Sequence, residues 1–257
     1  MGIRVTAVMI ASNGSAWLDE TIPAVRAQTR RPDRVIAVDN GSSDDSSRLL
    51  QASGAERVVV SQHRIPFGKA VQLALAGTEA AAMTPEPGSP SEADAVDAAD
   101  AGPEADAQHA SGEAAAAAAA AAPTAPNASL GATHADRESD ADVEWLWLLA
   151  HDTAPEPDAL ERILATVQRA PSVAVAGPKL LDWFHPERIV EMGQSLTRSG
   201  ARWQLNRQEL DQQQYDDQQD TLGVGPAGML VRRDVWEQLG GFDPALPVYD
   251  DGLDFSV

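Results

Sequence analysis

The stretch EWLWLLAHDTAPEPDAL, residues 144–160, constrains the fold more than any other part of the chain. Residues 145–149 are large and apolar at every position, without the alternation of a strand that keeps one wet face. Such a run suits a strand covered on both sides, as inner strands of a parallel sheet are. It breaks off at His151 and Asp152. In open α/β sheets, ligands bind just past the carboxyl ends of the strands. Asp152 is thereby placed to hold a cation or a phosphate-bearing ligand. The competing assignment makes Asp152 and Thr153 caps of a helix starting near Pro157.

The flanking sequence repeats this theme. Residues 4–12 form a β-branched, apolar strand that closes on Asn13 and Gly14. Ser15 can cap the next segment, where Trp17, Leu18, Ile22 and Val25 recur at helical spacing. Residues 34–38 predict a second strand, ending in VDNGSSDDSS and a helix through Leu50. Residues 57–60 predict a third, followed by Phe67, Gly68 and Lys69 at the start of another helix. Strand and helix in alternation imply βαβ units and a mainly parallel sheet. Right-handed crossovers then bring Asn13, Asp39 and residues 64–69 to the same rim as Asp152.

Between residues 78 and 142 the pattern stops. This tract is rich in Ala, Pro, Glu, Asp, Ser and Gly, holds nine consecutive alanines at 114–122, and carries Arg137 as its one Lys or Arg. It offers too little apolar surface to offset its ordering entropy, so it reads as a disordered insertion within one domain made of residues 1–77 and 143–257. Helix is the alanine run's intrinsic preference, though nothing in the sequence would anchor it. An acidic interaction segment is the alternative. Beyond the tract, residues 158–169 predict a helix and 173–176 a strand. Residues 181–219 suit antiparallel strands or ordered loops. Residues 228–232 and 233–239 predict a strand and a helix, and the chain ends in the middle of an element.

The formal charge of −20 disfavours nucleic acid and anionic lipid as partners and makes a metal ion a suitable companion for a phosphate ligand. With no cysteine, thiolate chemistry is excluded. No run reaches the roughly 18 apolar residues of a membrane span. The expected location is the cytoplasm, or the cytoplasmic face of a membrane in a longer protein.

VMIASNG, VDNGSSDDSS, FGKAVQLAL, WLLAHDTAPEPDAL and GPAGMLVRRDVWEQLGGFDPAL, followed by YDDGLD, together resemble the family 2 glycosyltransferases of GT-A fold. The likeness is strongest to the actinobacterial branch acting on cell-surface polysaccharides. It implies an inverting transfer of sugar from a UDP-, dTDP- or GDP-sugar to a glycan or lipid-linked acceptor. A non-catalytic GT-A-like module binding a nucleotide or glycan is the alternative reading, and a nucleotidyltransferase a third.

Carried over by position, Ser12, Asn13, Gly14 and Asp39 fall at the nucleotide, with an Asx turn or helix cap the alternative for Asp39. Gly68 and Lys69 fall near the donor diphosphate, with a solvated helix face the alternative for Lys69. His151 and Asp152 fall at the metal-binding acidic motif, here reduced to one carboxylate, for Mn²⁺ or Mg²⁺. Asp250 and Asp251 are the candidate catalytic bases. A solvated acidic tail is the alternative for these and for Asp254. Gly225 and Gly228 fall on the acceptor side, and Trp183 or Trp203 is placed to stack on a sugar or to pack in the core.

Overall fold

A computed structural model describes residues 2–79, 114–117, 142–199, 202–204, 209–216, 220–243 and 251–256. The first half runs β1 (Ile3–Ala11), α1 (Ser15–Arg26), β2 (Arg34–Asn40), α2 (Ser46–Ala52), β3 (Arg57–Ser61) and α3 (Phe67–Glu79). After β4 (Ala114–Ala117) come β5 (Val143–Ala150), β6 (Thr153–Pro155), α4 (Ala159–Arg169) and β7 (Val175–Ala176). Four short strands follow: β8 (Lys179–Asp182), β9 (Ile189–Glu191), β10 (Gln194–Leu196) and β11 (Arg202–Gln204). The chain then forms β12 (Leu230–Arg232), α5 (Arg233–Leu239) and α6 (Asp251–Ser256).

The main sheet has the order β3-β2-β1-β5-β12-β7. Pairings β3·β2, β2·β1 and β1·β5 are parallel, while β12 pairs antiparallel with β5 and β7. The α/β class and mainly parallel sheet expected from the strand–helix rhythm are therefore present. From β1 the chain builds outward through β2 and β3, then returns to place β5 on the other side of β1. The carboxyl ends of β1 and β5 thus flank the point where strand order reverses, the favoured ligand position in such sheets.

Side-chain alternation along β5 explains why its run is uniformly apolar. Trp145, Trp147 and Leu149 enter one core with Leu18 and Val25 of α1 and Leu160, Ile163, Leu164 and Val167 of α4. Leu146 and Leu148 enter the other with Val71 of α3, Trp236, Phe242 and Phe255. A polar residue at any of these positions would face apolar side chains on whichever side it pointed.

A second sheet, β6-β4-β8-β9, carries the only described part of the alanine run. Ala114–Ala117 is extended, parallel to β6 and antiparallel to β8, so the helical preference of alanine does not decide its structure. Both neighbours supply backbone hydrogen-bond partners, which a lone helix would have to find within itself. The rest of the tract lies outside the described residues. Among the described residues, no helix is long and apolar enough to cross a membrane.

Candidate functional site

A cavity of about 270 Å³ opens at the strand-order reversal, near the lower end of the roughly 300–1,000 Å³ usual for ligand pockets. Its floor comes from the register partners Ile10 and Ala150 with His151 and Asp152. One side is Ser12, Asn40, Arg64, Ile65 and Phe67; the other is Glu191, Gln194, Gly225, Pro226 and Ala227.

The first side is laced together by two loops on neighbouring strands. After β1, Asn13 takes a left-handed backbone (φ 52°), which asparagine tolerates. Its N–H donates to Ser42 Oγ at 3.1 Å, and its Oδ1 accepts from Ser43 N–H at 2.8 Å. The next two amides reach the loop after β2: Gly14 N–H donates to Ser46 Oγ at 2.7 Å and Ser15 N–H to Asp44 Oδ2 at 3.0 Å. Asp44 therefore occupies the amino end of α1, where Ser15 makes no side-chain cap of its own. Burial pushes the Asp44 carboxyl up, but hydrogen bonds from Ser46 and Ser15 outweigh it and hold the group well below the usual carboxylate range. Asp39 is 3% exposed, and its Oδ1 accepts Ser42 N–H, three residues on, at 3.0 Å, which braces the loop after β2. Asn40 fixes the Arg64–Ile65 backbone reciprocally: Nδ2 donates to Ile65 O at 2.8 Å and Oδ1 accepts Ile65 N–H at 2.9 Å.

His151 and Asp152 differ in what surrounds them. The His151 ring lies 5.4 Å from that of Trp17, and a Cβ on Gly14 would sit 2.6 Å from its ring carbons. Its backbone oxygen accepts Thr21 Oγ1 at 2.7 Å. The imidazole is thus held in place by packing while it lines the cavity. Asp152 is half-buried on the cavity floor, and no described residue hydrogen-bonds its carboxylate. The alternative of a helix cap is removed: Thr153–Pro155 is a strand, and the α4 amide of Leu160 donates instead to Gln28 Oε1 at 3.0 Å.

The second side hangs on glycines and an ion cluster. Gly225 N–H donates to Glu191 Oε1 at 2.7 Å, and a Cβ at Gly225 would push that carboxylate aside. Behind it, Lys179 is 6% exposed and bridges Asp211 and Asp216, each at 2.7 Å. Burial lowers the Lys179 pKa, but its two carboxylate partners more than reverse this, and the net shift is upward. Gly252 of α6 packs on Val224 O, Gly225 and Pro226, which sets the amino end of that helix against this side of the cavity.

The structure brings Ser12, His151, Asp152 and Gly225 to the cavity, and the other expected residues that it describes are off the lining. Asn13, Gly14 and Asp39 build the loops around it. A Cβ on Gly68 would meet the Phe242 side chain at 2.7 Å, so its bare backbone lets that ring pack close, and the residue is not on the cavity lining. Lys69 is exposed, with Nζ donating to Gln72 Oε1 at 3.2 Å, and the cation on the cavity is Arg64. Gly228 (φ 79°) serves the turn before β12 and abuts Pro178. Asp250 and the side chain of Asp251 lie outside the described residues. Trp203 is 46% exposed on β11, so it is not a core residue, and neither it nor Trp183 lines the cavity. Glu191 and Gln194 were not anticipated, because their stretch has no periodicity. The Gly193 turn between them was the one available signal.

A divalent ion, implied by the resemblance, meets a sparse donor set. Among the described residues no three His, Asp or Glu side chains gather as ligands. What fits is an ion arriving with a diphosphate, for which Asp152 supplies one otherwise unpartnered carboxylate and ligand oxygens and water the rest.

Comparison with known proteins bears on the fold and the family. The crystal structures of S. aureus TarS 1-349, alone and in complex with UDP, superpose with TM-scores of 0.50 and 0.51 at 11% identity. Each alignment covers 98% of this chain and 54% of the other, so the chain spans about half the length of these solved structures. The likeness shows a GT-A-like fold. No curated protein sequence matches the chain. A family model described as "Glycosyl transferase family 2" matches residues 6–80. Another, "Glycosyltransferase like family 2", matches residues 94–257, more than half of the chain, and the protein therefore belongs to glycosyltransferase family 2.

Proposed function

We propose that this chain carries the donor site of an inverting glycosyltransferase, of the type acting on actinobacterial cell-surface polysaccharide. It transfers a neutral or substituted sugar from a nucleoside diphosphate to a glycan or lipid-linked acceptor. The observation that carries the reading is the meeting of Ser12, Arg64 and Asp152 at the strand-order reversal. A solved protein of similar fold, S. aureus TarS, was crystallised in complex with UDP, which favours a uridine nucleotide here.

In this reading the loops built by Asn13, Asp39 and Ser42 to Ser46 shape the nucleotide end. Arg64 offsets diphosphate charge. Asp152 faces the same group, and a bound divalent ion would supply further charge neutralisation there. An acceptor oxygen bonds to the anomeric carbon as the bond from that carbon to the diphosphate oxygen breaks. The hydroxyl proton passes to a carboxylate, for which the family resemblance makes Asp250 and Asp251 the candidates.

The test is thermal unfolding with UDP, dTDP and GDP, each with Mn²⁺ and with chelator, followed by sugar-release assays. A nucleotide at 100 times its dissociation constant adds about 2.7 kcal/mol, and Asp152→Ala is expected to abolish any metal-dependent part. Absence of a shift with every nucleotide would sink the donor-site reading. Binding without sugar transfer would leave a nucleotide-binding module.

A further inference from the structure

We propose that Glu191 and Gln194 read the hydroxyls of a neutral sugar in the cavity and disfavour a sugar that carries a carboxylate. This rests on the donor-site reading above and extends it to the sugar itself.

Both residues are held from the backbone outward. Gly193, between them, has φ 82°, and a Cβ there would sit 2.8 Å from Thr221 Cβ, so the turn is fixed as glycine. Gln194 N–H donates to Gly223 O at 2.7 Å, and Gln194 O accepts Gly223 N–H at 3.1 Å and Thr221 Oγ1 at 3.0 Å. With its main chain engaged, Gln194 has only its side chain to offer. That side chain is 1% exposed and lines the cavity, and its Oε1 is enclosed with no hydrogen-bond partner. An enclosed amide oxygen without a donor is destabilising, and folded proteins rarely keep one without a partner from water or ligand. A small rotation of the amide toward the cavity would let a sugar hydroxyl supply that donor.

Glu191 adds direction. One of its oxygens is held by Gly225 N–H at 2.7 Å. An ionised carboxylate only accepts, so it favours hydroxyl donors and repels a second carboxylate. Asp152 adds the same sign of charge to the same cavity, while Arg64 is available for the diphosphate. The chemistry that matches this side is a neutral, hydroxyl-bearing hexose and not a uronic acid.

Isothermal titration of the chain with UDP, UDP-glucose and UDP-glucuronic acid tests this, using Gln194→Leu and Glu191→Gln. The unaltered chain is expected to bind UDP-glucose more tightly than UDP and UDP-glucuronic acid more weakly than UDP-glucose. Gln194→Leu is expected to lose about tenfold in UDP-glucose affinity, the scale of one hydrogen bond made in an enclosed site. It should keep its UDP affinity and unfold no earlier than the parent, since the enclosed orphan is gone. Glu191→Gln retains an acceptor for Gly225 and should narrow the gap between the two UDP-sugars by about tenfold.

Unchanged sugar preference in both variants, with UDP still bound, overturns the inference and leaves the donor site standing. An equal loss of UDP and UDP-glucose affinity in Gln194→Leu also overturns it, because the residue then acts on cavity shape. If the parent binds neither UDP nor either UDP-sugar, the donor-site reading falls, and this inference with it.

Discussion

The side of the cavity built by β1 to β3 and the side built by β8 to β12 enclose the same space by different means. On the first, Asn13, Gly14 and Ser15 donate hydrogen bonds to Ser42, Ser46 and Asp44 of the adjacent loop, which Asp39 braces from within, each loop at the end of a buried parallel strand. On the second, strands of three or four residues leave Phe184, Leu196, Trp203 and Leu210 exposed, and Lys179 gathers a remote segment through Asp211 and Asp216. Many weak ties beside a deep core hold one side, and one strong cluster holds the other. Damage should therefore spread on the first side and concentrate on the second.

Lys179→Met offers the sharpest break. Removing one partner of a buried pair costs about 3–5 kcal/mol, and the lower end applies because the Asp216 side chain is 39% exposed. Chemical denaturation should register this, with hydrogen exchange rising over residues 179–224 and little change over residues 3–40. Uniform exchange across both regions would contradict the contrast.

Gln28→Ala probes the joint behind the first side. Gln28 is 2% exposed, donates to Glu156 O at 2.7 Å and accepts Leu160 N–H at 3.0 Å. Its loss strands these groups at the start of α4, with an expected cost of about 2 kcal/mol in a urea titration.

Asp44→Ala should cost about 1 kcal/mol, as lost helix caps do, with the rest of the lacing intact. The pH dependence has a definite sign. Because the folded-state pKa of Asp44 is depressed, its contribution is complete above the ordinary carboxylate pKa and is lost as pH falls below it. Asp44→Asn should flatten the acid limb of a stability–pH curve. An unaltered limb would show that the two loops do not depend on the charge.

Smallest in stability, though not in binding, is Arg64→Gln. Arg64 is exposed and lines the cavity, so the fold should change by less than about 0.5 kcal/mol. Nucleotide affinity should fall, and should fall further for a diphosphate than for a monophosphate. Equal losses for both would remove Arg64 from the diphosphate.

Much of the first side was legible because its signals are local. A buried strand, a turn of small residues and a helix start occur in sequence order, and the position of His151 and Asp152 follows directly from where a strand ends, while Ser12 comes from the family resemblance. Locality is less informative over residues 64–69, where Arg64 lines the cavity while Gly68 packs against Phe242 and Lys69 is exposed. Nothing near Gly68 in the sequence announces a ring arriving from beyond β12. Glu191 and Gln194 were illegible for a related reason. Strands of three residues carry too few positions to show a period, and both residues acquire meaning through Gly223 and Gly225 across a turn.

Sequence alone determined the α/β class, the two-faced burial of β5 and the position of Asp152 past its end, because periodicity and run length report burial directly. Tertiary structure decided which polar groups are already satisfied. Asp39 and Asn13 spend theirs on loops, His151 packs on Trp17, and Asp152 and Gln194 Oε1 remain without described partners. Such satisfaction depends on distances between residues far apart in the chain, and no local pattern encodes those distances.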